Sequence, residues 1–132
     1  MNLLEKEQFD ELYAQAERAE RKRAHQLLHR SHDDKVQRLL IAMVKGSYVE
    51  PHFHELEHQW EMFVVLEGCV KVTTYDAAGQ ILCETLLGVE GNASIAEVKP
   101  QEIHSVECVS DRALLLEVKE GPFNPQFAKV LV

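Results

Sequence analysis

Three histidines and one glutamate carry the clearest chemistry in this sequence. His52 and His54 flank a single residue, Phe53. On a strand, alternate side chains share a face, so the two imidazoles point the same way while Phe53 turns to the opposite side. Glu61 opens the apolar run Glu61-Met62-Phe63-Val64-Val65-Leu66, and His104 follows Pro100-Gln101-Glu102-Ile103 at the start of another. Imidazole nitrogens and a carboxylate oxygen brought together on neighbouring strands form a donor set for one divalent cation, with Fe, Mn, Ni and Zn as the candidates. Six residues separate His54 from Glu61, and that gap holds two rival ligands, Glu57 and His58. Strand phase favours Glu61, which shares a face with Phe63 and Val65. Glu61 is also the candidate base, because a carboxylate is held by a metal less rigidly than an imidazole.

Other residues are candidates of a weaker kind. His25, His29 and His32 follow the i, i+4, i+7 spacing that a continued helix would gather on one face. No carboxylate stands at a fitting distance to complete a second metal site there, so a polar helix face is the plainer expectation. Arg38 opens an apolar strand and Lys119 closes another; either suits an anionic substrate group such as a carboxylate or phosphate. Tyr48, on the chain entering the histidine pair, is a candidate hydrogen-bond donor to a bound ligand.

These side chains need a scaffold, and the apolar periodicity supplies one. Residues Leu4 to Arg23 read as an amphipathic helix whose stripe is Phe9, Leu12, Tyr13 and Ala16. From Arg38 the period changes to that of strands: Arg38–Val44, Glu61–Leu66, Val70–Tyr75, Ile81–Leu87, Ala93–Val98, His104–Cys108 and Ala113–Val118. Turn signals such as Lys45-Gly46-Ser47, Glu67-Gly68 and Asp76-Ala77-Ala78-Gly79 lie between them. Short strands in close succession, with no helices between, exclude a βαβ protein and favour an antiparallel sandwich or barrel. The expected division is a helical segment, residues 1–35, packed on a barrel with a C-terminal tail, residues 36–132. That tail, from Gly121-Pro122-Phe123 to Val130-Leu131-Val132, is rich in apolar side chains and is expected to pack on its own barrel or on a partner.

Composition narrows the function classes. The net charge is −8 over 132 residues, and it falls unevenly: residues 1–38 hold eight Lys/Arg and eight Asp/Glu, leaving six against fourteen beyond them. A nucleic-acid partner needs a basic face and is not expected. No run approaches the roughly 20 apolar residues of a membrane span, and the N-terminus lacks the apolar core of a signal peptide, so a cytoplasmic location away from membranes is expected. The three cysteines, Cys69, Cys83 and Cys108, form no CxxC pair and read as small buried hydrophobes. Open strand edges and the apolar tail together point to a homodimer.

The spacing Gly46-x5-His52-x-His54, then Glu61-x6-Gly68, then Pro100-x3-His104 resembles the two motifs of the cupin superfamily. That resemblance implies a mainly β protein, a small cupin-type β-barrel (jelly roll) with an N-terminal α-helix ahead of it. It also implies one divalent metal ion held by His52, His54, Glu61 and His104. The gap before Glu61 is longer than the family's usual one, and Cys108 stands where an asparagine is usual. A narrower resemblance runs through Val36-Gln37-Arg38, Gly46 to His54, and Glu117-Val118-Lys119-Glu120-Gly121-Pro122-Phe123 with Lys129. These stretches are similar to the WbuC family of cupin-fold metalloproteins, which is associated with bacterial cell-surface polysaccharide (O-antigen) gene clusters. The function implied is a metal-dependent enzyme acting on a small polar or sugar-derived metabolite. Two alternatives remain open at this point: a non-catalytic metal-containing binding or regulatory cupin, and a metal-free sugar-nucleotide epimerase of the same barrel type.

Overall fold

The computed structural model describes all 132 residues. One helix, α1 (Lys6–Arg18), precedes ten strands: β1 (Arg23–Leu27), β2 (Val36–Val44), β3 (Tyr48–Phe53), β4 (Glu61–Glu67), β5 (Cys69–Tyr75), β6 (Ile81–Gly88), β7 (Ile95–Val98), β8 (Ile103–Cys108), β9 (Arg112–Glu120) and β10 (Val130–Leu131). They form two five-stranded antiparallel sheets, ordered β1-β2-β9-β4-β7 and β10-β3-β8-β5-β6. The sheets face each other in the manner of a sandwich. Their hydrogen-bonded edges do not join, so the expected barrel is not closed. No helix is long and apolar enough to cross a membrane.

α1 forms for the reason its apolar stripe suggests: Leu12, Tyr13 and Ala16 are buried, packed on Leu40, Ala42 and Leu114. Gln8 Oε1 accepts the Glu5 N–H at 2.8 Å and closes the first turn. The helix ends at Arg18, short of the expected Arg23. Residues Arg23–Leu27, placed by sequence in the helical segment 1–35, instead form β1 in register with Met43 to Leu39 of β2. This corrects the secondary structure there. Arg, Ala, His, Gln and Leu are adequate helix formers, but the open edge of β2 offers a row of backbone partners that outweighs local propensity. His25, His29 and His32 are therefore not on a helix.

β2 and β9 are buried on both faces. Their even-numbered residues, including Leu40, Ala42 and Leu114, lie against α1, while Met43, Ala113 and Leu115 join an eleven-residue core between the sheets. The C-terminal tail folds back on its own chain, with Val130 opposite Phe53 and Leu131 opposite His52, so β10 covers the open edge of β3. Cys69 and Cys108 are buried as expected, but Cys83 is exposed. It lies on β6, the opposite edge of the same sheet, where Ile81, Leu82 and Leu86 are also exposed.

Candidate metal centre

Three strands and one loop bring the four predicted donors together. β3 carries His52, and His54 follows immediately after it; β4 begins at Glu61, and β8 places His104 directly opposite His52. The donor atoms of His52, His54, Glu61 and His104 all lie within 4.8 Å of one another, and all four side chains are buried. The long gap between His54 and Glu61 is taken up by a tight turn. Gln59 N–H donates to Leu56 C=O at 3.0 Å, and Leu56 N–H donates to Gln59 Oε1 at 2.8 Å. This turn leaves Glu57 exposed, and neither Glu57 nor His58 joins the cluster. A second turn ties the two ligand loops together, with Gln101 N–H donating to His54 C=O at 2.7 Å.

The rings are oriented by backbone carbonyls. His52 Nδ1 lies 2.8 Å from Glu50 O, His54 Nδ1 lies 2.6 Å from Ala128 O, and His104 Nδ1 lies 3.0 Å from Glu102 O. A carbonyl can only accept, so each Nδ1 carries a proton and donates it. Each ring then turns its Nε2 toward the cluster. Those of His54 and His104 stand 3.0 Å and 3.2 Å from the two oxygens of Glu61. His54 Nε2 is buried with no hydrogen-bond partner, since Glu61 Oε1 lies off the line a ring N–H would take. His104 Nε2 is hydrogen-bonded to Glu61 Oε2 at 3.2 Å, and these ring nitrogens and the carboxylate are the donor types that a divalent cation takes once the ring protons leave. Ligand bonds of about 2.0–2.2 Å place opposite donors about 4.2 Å apart, so a spread of 4.8 Å closes on one ion with only small movements. The residues fit a divalent metal.

The electrostatics agree. Burial pushes the Glu61 carboxyl up, but His104 and His54 outweigh it and hold the group well below the ordinary carboxylate range. Burial pulls His54 down, yet Glu61 more than offsets it and the net shift is upward. His52, farther from the carboxylate, is lowered to about 4 by burial. A proton and a metal ion compete for the same place.

A cavity of about 320 Å³ opens onto this cluster between the two sheets. His52 and Glu61 form part of its floor, while Ile41, Met43, Phe63, Val106 and Leu115 supply apolar walls. Glu117 also lines it, fully buried; burial and the neighbouring Glu61 push its carboxyl up to about 8. Lys119 lines the cavity, with its Nζ 3.6 Å from Glu117 Oε2. Arg38 and Tyr48 do not line it. On β2 the inward residue is Gln37, and Arg38 lies on the opposite, exposed face. On β3 an irregularity between Val49 and His52 shifts the alternation, so Val49 faces the cavity and Tyr48 is 49% exposed on the outside. Glu117 is absent from the expected set, although the signal was available: it shares strand phase with Lys119.

Residues 4–87 match the family model described as a domain of unknown function (DUF6016). The chain belongs to the DUF6016 family. No curated protein matches its sequence. Solved structures similar to this DUF6016 chain include proteins described as cupins. An oxalate decarboxylase variant from Bacillus subtilis superposes with a TM-score of 0.59 at 17% identity, over 75% of this chain and 24% of that one. KdgF from Halomonas sp. gives 0.58 at 12% identity, over 79% of this chain and 82% of its own. A cupin superfamily protein from Desulfitobacterium hafniense gives 0.54 at 20% identity, covering 74% and 76%. The DUF6016 chain thus spans about a quarter of the oxalate decarboxylase. At these identities the likeness establishes the fold, and the fold is that of a cupin.

Proposed function

We propose that this DUF6016 protein is a metal-dependent cupin enzyme acting on a small polar or sugar-derived metabolite. The observation that carries the reading is the set of three carbonyl-oriented imidazoles and one carboxylate converging on a single point at the floor of a cavity. His52, His54, Glu61 and His104 hold the ion, and the cavity admits the reactant. A bound Fe, Mn, Ni or Zn ion supplies Lewis-acid polarisation of a substrate oxygen. The chain's own residues do the rest. The apolar walls exclude water, and Lys119 offers a cation. Glu61, held well below the ordinary range between two histidines, is poorly suited to take up a proton. Glu117 holds one near neutral pH and is the better placed group to deliver it.

The similarity to WbuC proteins in Val36–Arg38, Gly46–His54 and Glu117–Phe123 supports placing the activity in cell-surface polysaccharide (O-antigen) biosynthesis. A homodimer in the cytoplasm belongs to the same reading, with the exposed apolar residues of β6 as its contact surface. Light scattering at micromolar concentration should return twice the chain mass, and a monomer mass removes the dimer.

Metal analysis tests the centre. Protein prepared without a histidine tag should contain about one ion per chain, and His52→Ala combined with His104→Ala should abolish it. Equal metal content in the two proteins overturns the assignment, and a metal-free but active wild type would favour the epimerase alternative.

A further inference from the structure

The three histidines left unassigned by sequence, His25, His29 and His32, all line the mouth of the cavity above the metal centre, together with Arg23, Lys119 and Lys129. This grouping runs against the chain's balance of 14 basic to 22 acidic residues. The lining holds three Lys/Arg and two carboxylates, Glu61 and Glu117. Glu61 faces His54 and His104, and Glu117 lies 3.6 Å from the Lys119 ammonium. Arg23 and Lys129 have no ion-pair partner; Arg23 has only a long contact of 3.4 Å to the Tyr48 carbonyl. Arg23 and Lys129 thus bring positive charge to the mouth with no ion pair of their own, although Glu20 and Glu50 lie beside them on the outer side and Glu50 acts on Arg23.

The mouth is built and not merely decorated. His29 is only 8% exposed. Its Nδ1 lies 3.0 Å from Arg38 N and 2.9 Å from Arg38 O. The Arg38 carbonyl already accepts from Leu28 N–H at 2.8 Å, whereas Arg38 N–H has the ring nitrogen as its acceptor. Backbone donors in a buried setting are not left unpaired, so Nδ1 accepts and the ring proton sits on Nε2. That Nε2–H has no hydrogen-bond partner in the chain: it is a donor on a buried side chain that lines the cavity. The loop carrying His32 is held by the buried Gln37 amide, which donates to Ser31 O, His32 O and Asp34 O at 3.2, 3.3 and 2.8 Å. Phe123 N–H donates to His32 O at 2.7 Å, and the two rings meet edge to face. His29 and the His32 loop are thus fixed around the opening, whereas Arg23 is held only by its 3.4 Å contact. Below them the apolar walls thin out the solvent, which strengthens any charge interaction made at the mouth. A space of about 320 Å³ holds roughly ten waters' worth of ligand, the size of a small metabolite.

We infer that the cavity takes a small molecule bearing an oxyanion, a carboxylate or a phosphate, bound at the mouth by Arg23, Lys119 and the His29 Nε2–H, with Lys129 closing the rim. This rests on the reading of the cavity as the reactant site and names the class of reactant. Its partners are all donors, a match to an oxyanion and not to a neutral or cationic group.

The test is calorimetric titration of inorganic phosphate and, separately, malonate into the full chain at low salt, with uncharged malonamide as the control. Each titration is run on metal-loaded and on chelator-stripped protein, because an anion that binds only through the ion would respond to the metal alone. At least one anion should bind in both states, malonamide should not, and Arg23→Gln and Lys119→Gln should each weaken binding roughly tenfold. Arg18→Gln removes the same charge from exposed α1 and should change nothing. Phosphate alone binding assigns a phosphoryl group, and malonate alone assigns a carboxylate. No binding of either anion to stripped protein overturns the inference, as does binding that Arg23→Gln and Lys119→Gln reduce no more than Arg18→Gln does. Elemental analysis runs in parallel. Both charge variants should keep wild-type metal content, so loss of the anion site is distinguishable from loss of the metal centre.

Discussion

The space between the two sheets has two ends, and the same strands build both. Along β9 the inward residues are Ala113 and Leu115, then Glu117 and Lys119. Along β4 they are Val65 and Phe63, then Glu61; along β8, Cys108 and Val106, then His104. Along β2, Met43 gives way to Ile41 and Leu39 and finally to buried Gln37. All four strands turn polar toward the same end, β9 one inward position before β2 and β4, since Glu117 lies opposite Leu39 and Phe63. One end is a packed apolar core whose burial stabilises the sandwich, and the other spends its inward positions on charged and polar groups that contribute little to folding. Stability and chemistry are thus separated by position along a strand, not by element. Changes at the two ends should produce different failures.

The largest effect belongs to the packed end. Leu87 is 1% exposed among Val65, Val70 and Cys108, away from the cavity lining. Leu87→Ala should cost about 2–5 kcal/mol of stability by leaving a void in the core. Metal content per folded chain should stay at the wild-type level. Urea unfolding followed by elemental analysis of the folded fraction reads both quantities. A proportionate loss of metal would show that the two ends are coupled and that the division drawn above is false.

Sequence reveals the site better than its surroundings, and the reason is local. The spacing of His52, His54, Glu61 and His104 survives translation into space because each donor sits at or beside a strand end, where phase is set by a few residues. Arg38 and Tyr48 are candidates by position, at a strand start and near the histidines, and position alone does not fix which face a side chain takes. One lies on the α1 side of a strand buried on both faces, and the other lies beyond a bulge that inserts a step into the alternation. β1 is invisible for a different reason. Its five residues have no strand character of their own and pair only because the β2 edge is there. With β1 misread as helix, the shared position of Arg23 and His25 with Lys119 was out of reach.

An intermediate effect should appear at the polar end. The Glu117 carboxyl moves from an ordinary 4.5 to about 8 on folding, through burial and the proximity of Glu61. A raised folded-state value means the native state binds more protons, so this group favours folding below pH 4.5 and that contribution is lost as pH rises to 8. Glu117→Gln keeps the volume and cannot ionise. In chelator-treated protein the variant should match wild type at pH 4.5 and exceed it above pH 8, by on the order of 2 kcal/mol. Urea midpoints at the two pH values supply the comparison. A variant less stable than wild type at both would mean that the Lys119 contact outweighs the cost of burying the carboxylate.

The smallest effect is expected at Gln101, set against Gly68, which shares its backbone conformation at the packed end. Gly68, where β4 turns into β5, has φ +75°, and Gln101, in the turn before His104, has φ +67°. Both are left-handed, a region that costs a residue with a Cβ roughly 1 kcal/mol. At the packed end there is no tolerance. A Cβ on Gly68 would stand 2.1 Å from Arg112 O and 2.8 Å from Ala113 Cα, so Gly68→Ala should destabilise severely. At the polar end the turn already accommodates a side chain, and Gln101 Nε2 returns only a 3.3 Å bond to Glu55 O. Gln101→Gly removes the steric cost and that bond, and it adds freedom to the unfolded chain. The net should be a gain of no more than about 1 kcal/mol. The Gln101 N–H to His54 C=O bond is a backbone contact and survives, so metal content should not change. A destabilised Gln101→Gly with reduced metal content would show that the glutamine side chain itself holds the ligand loops together.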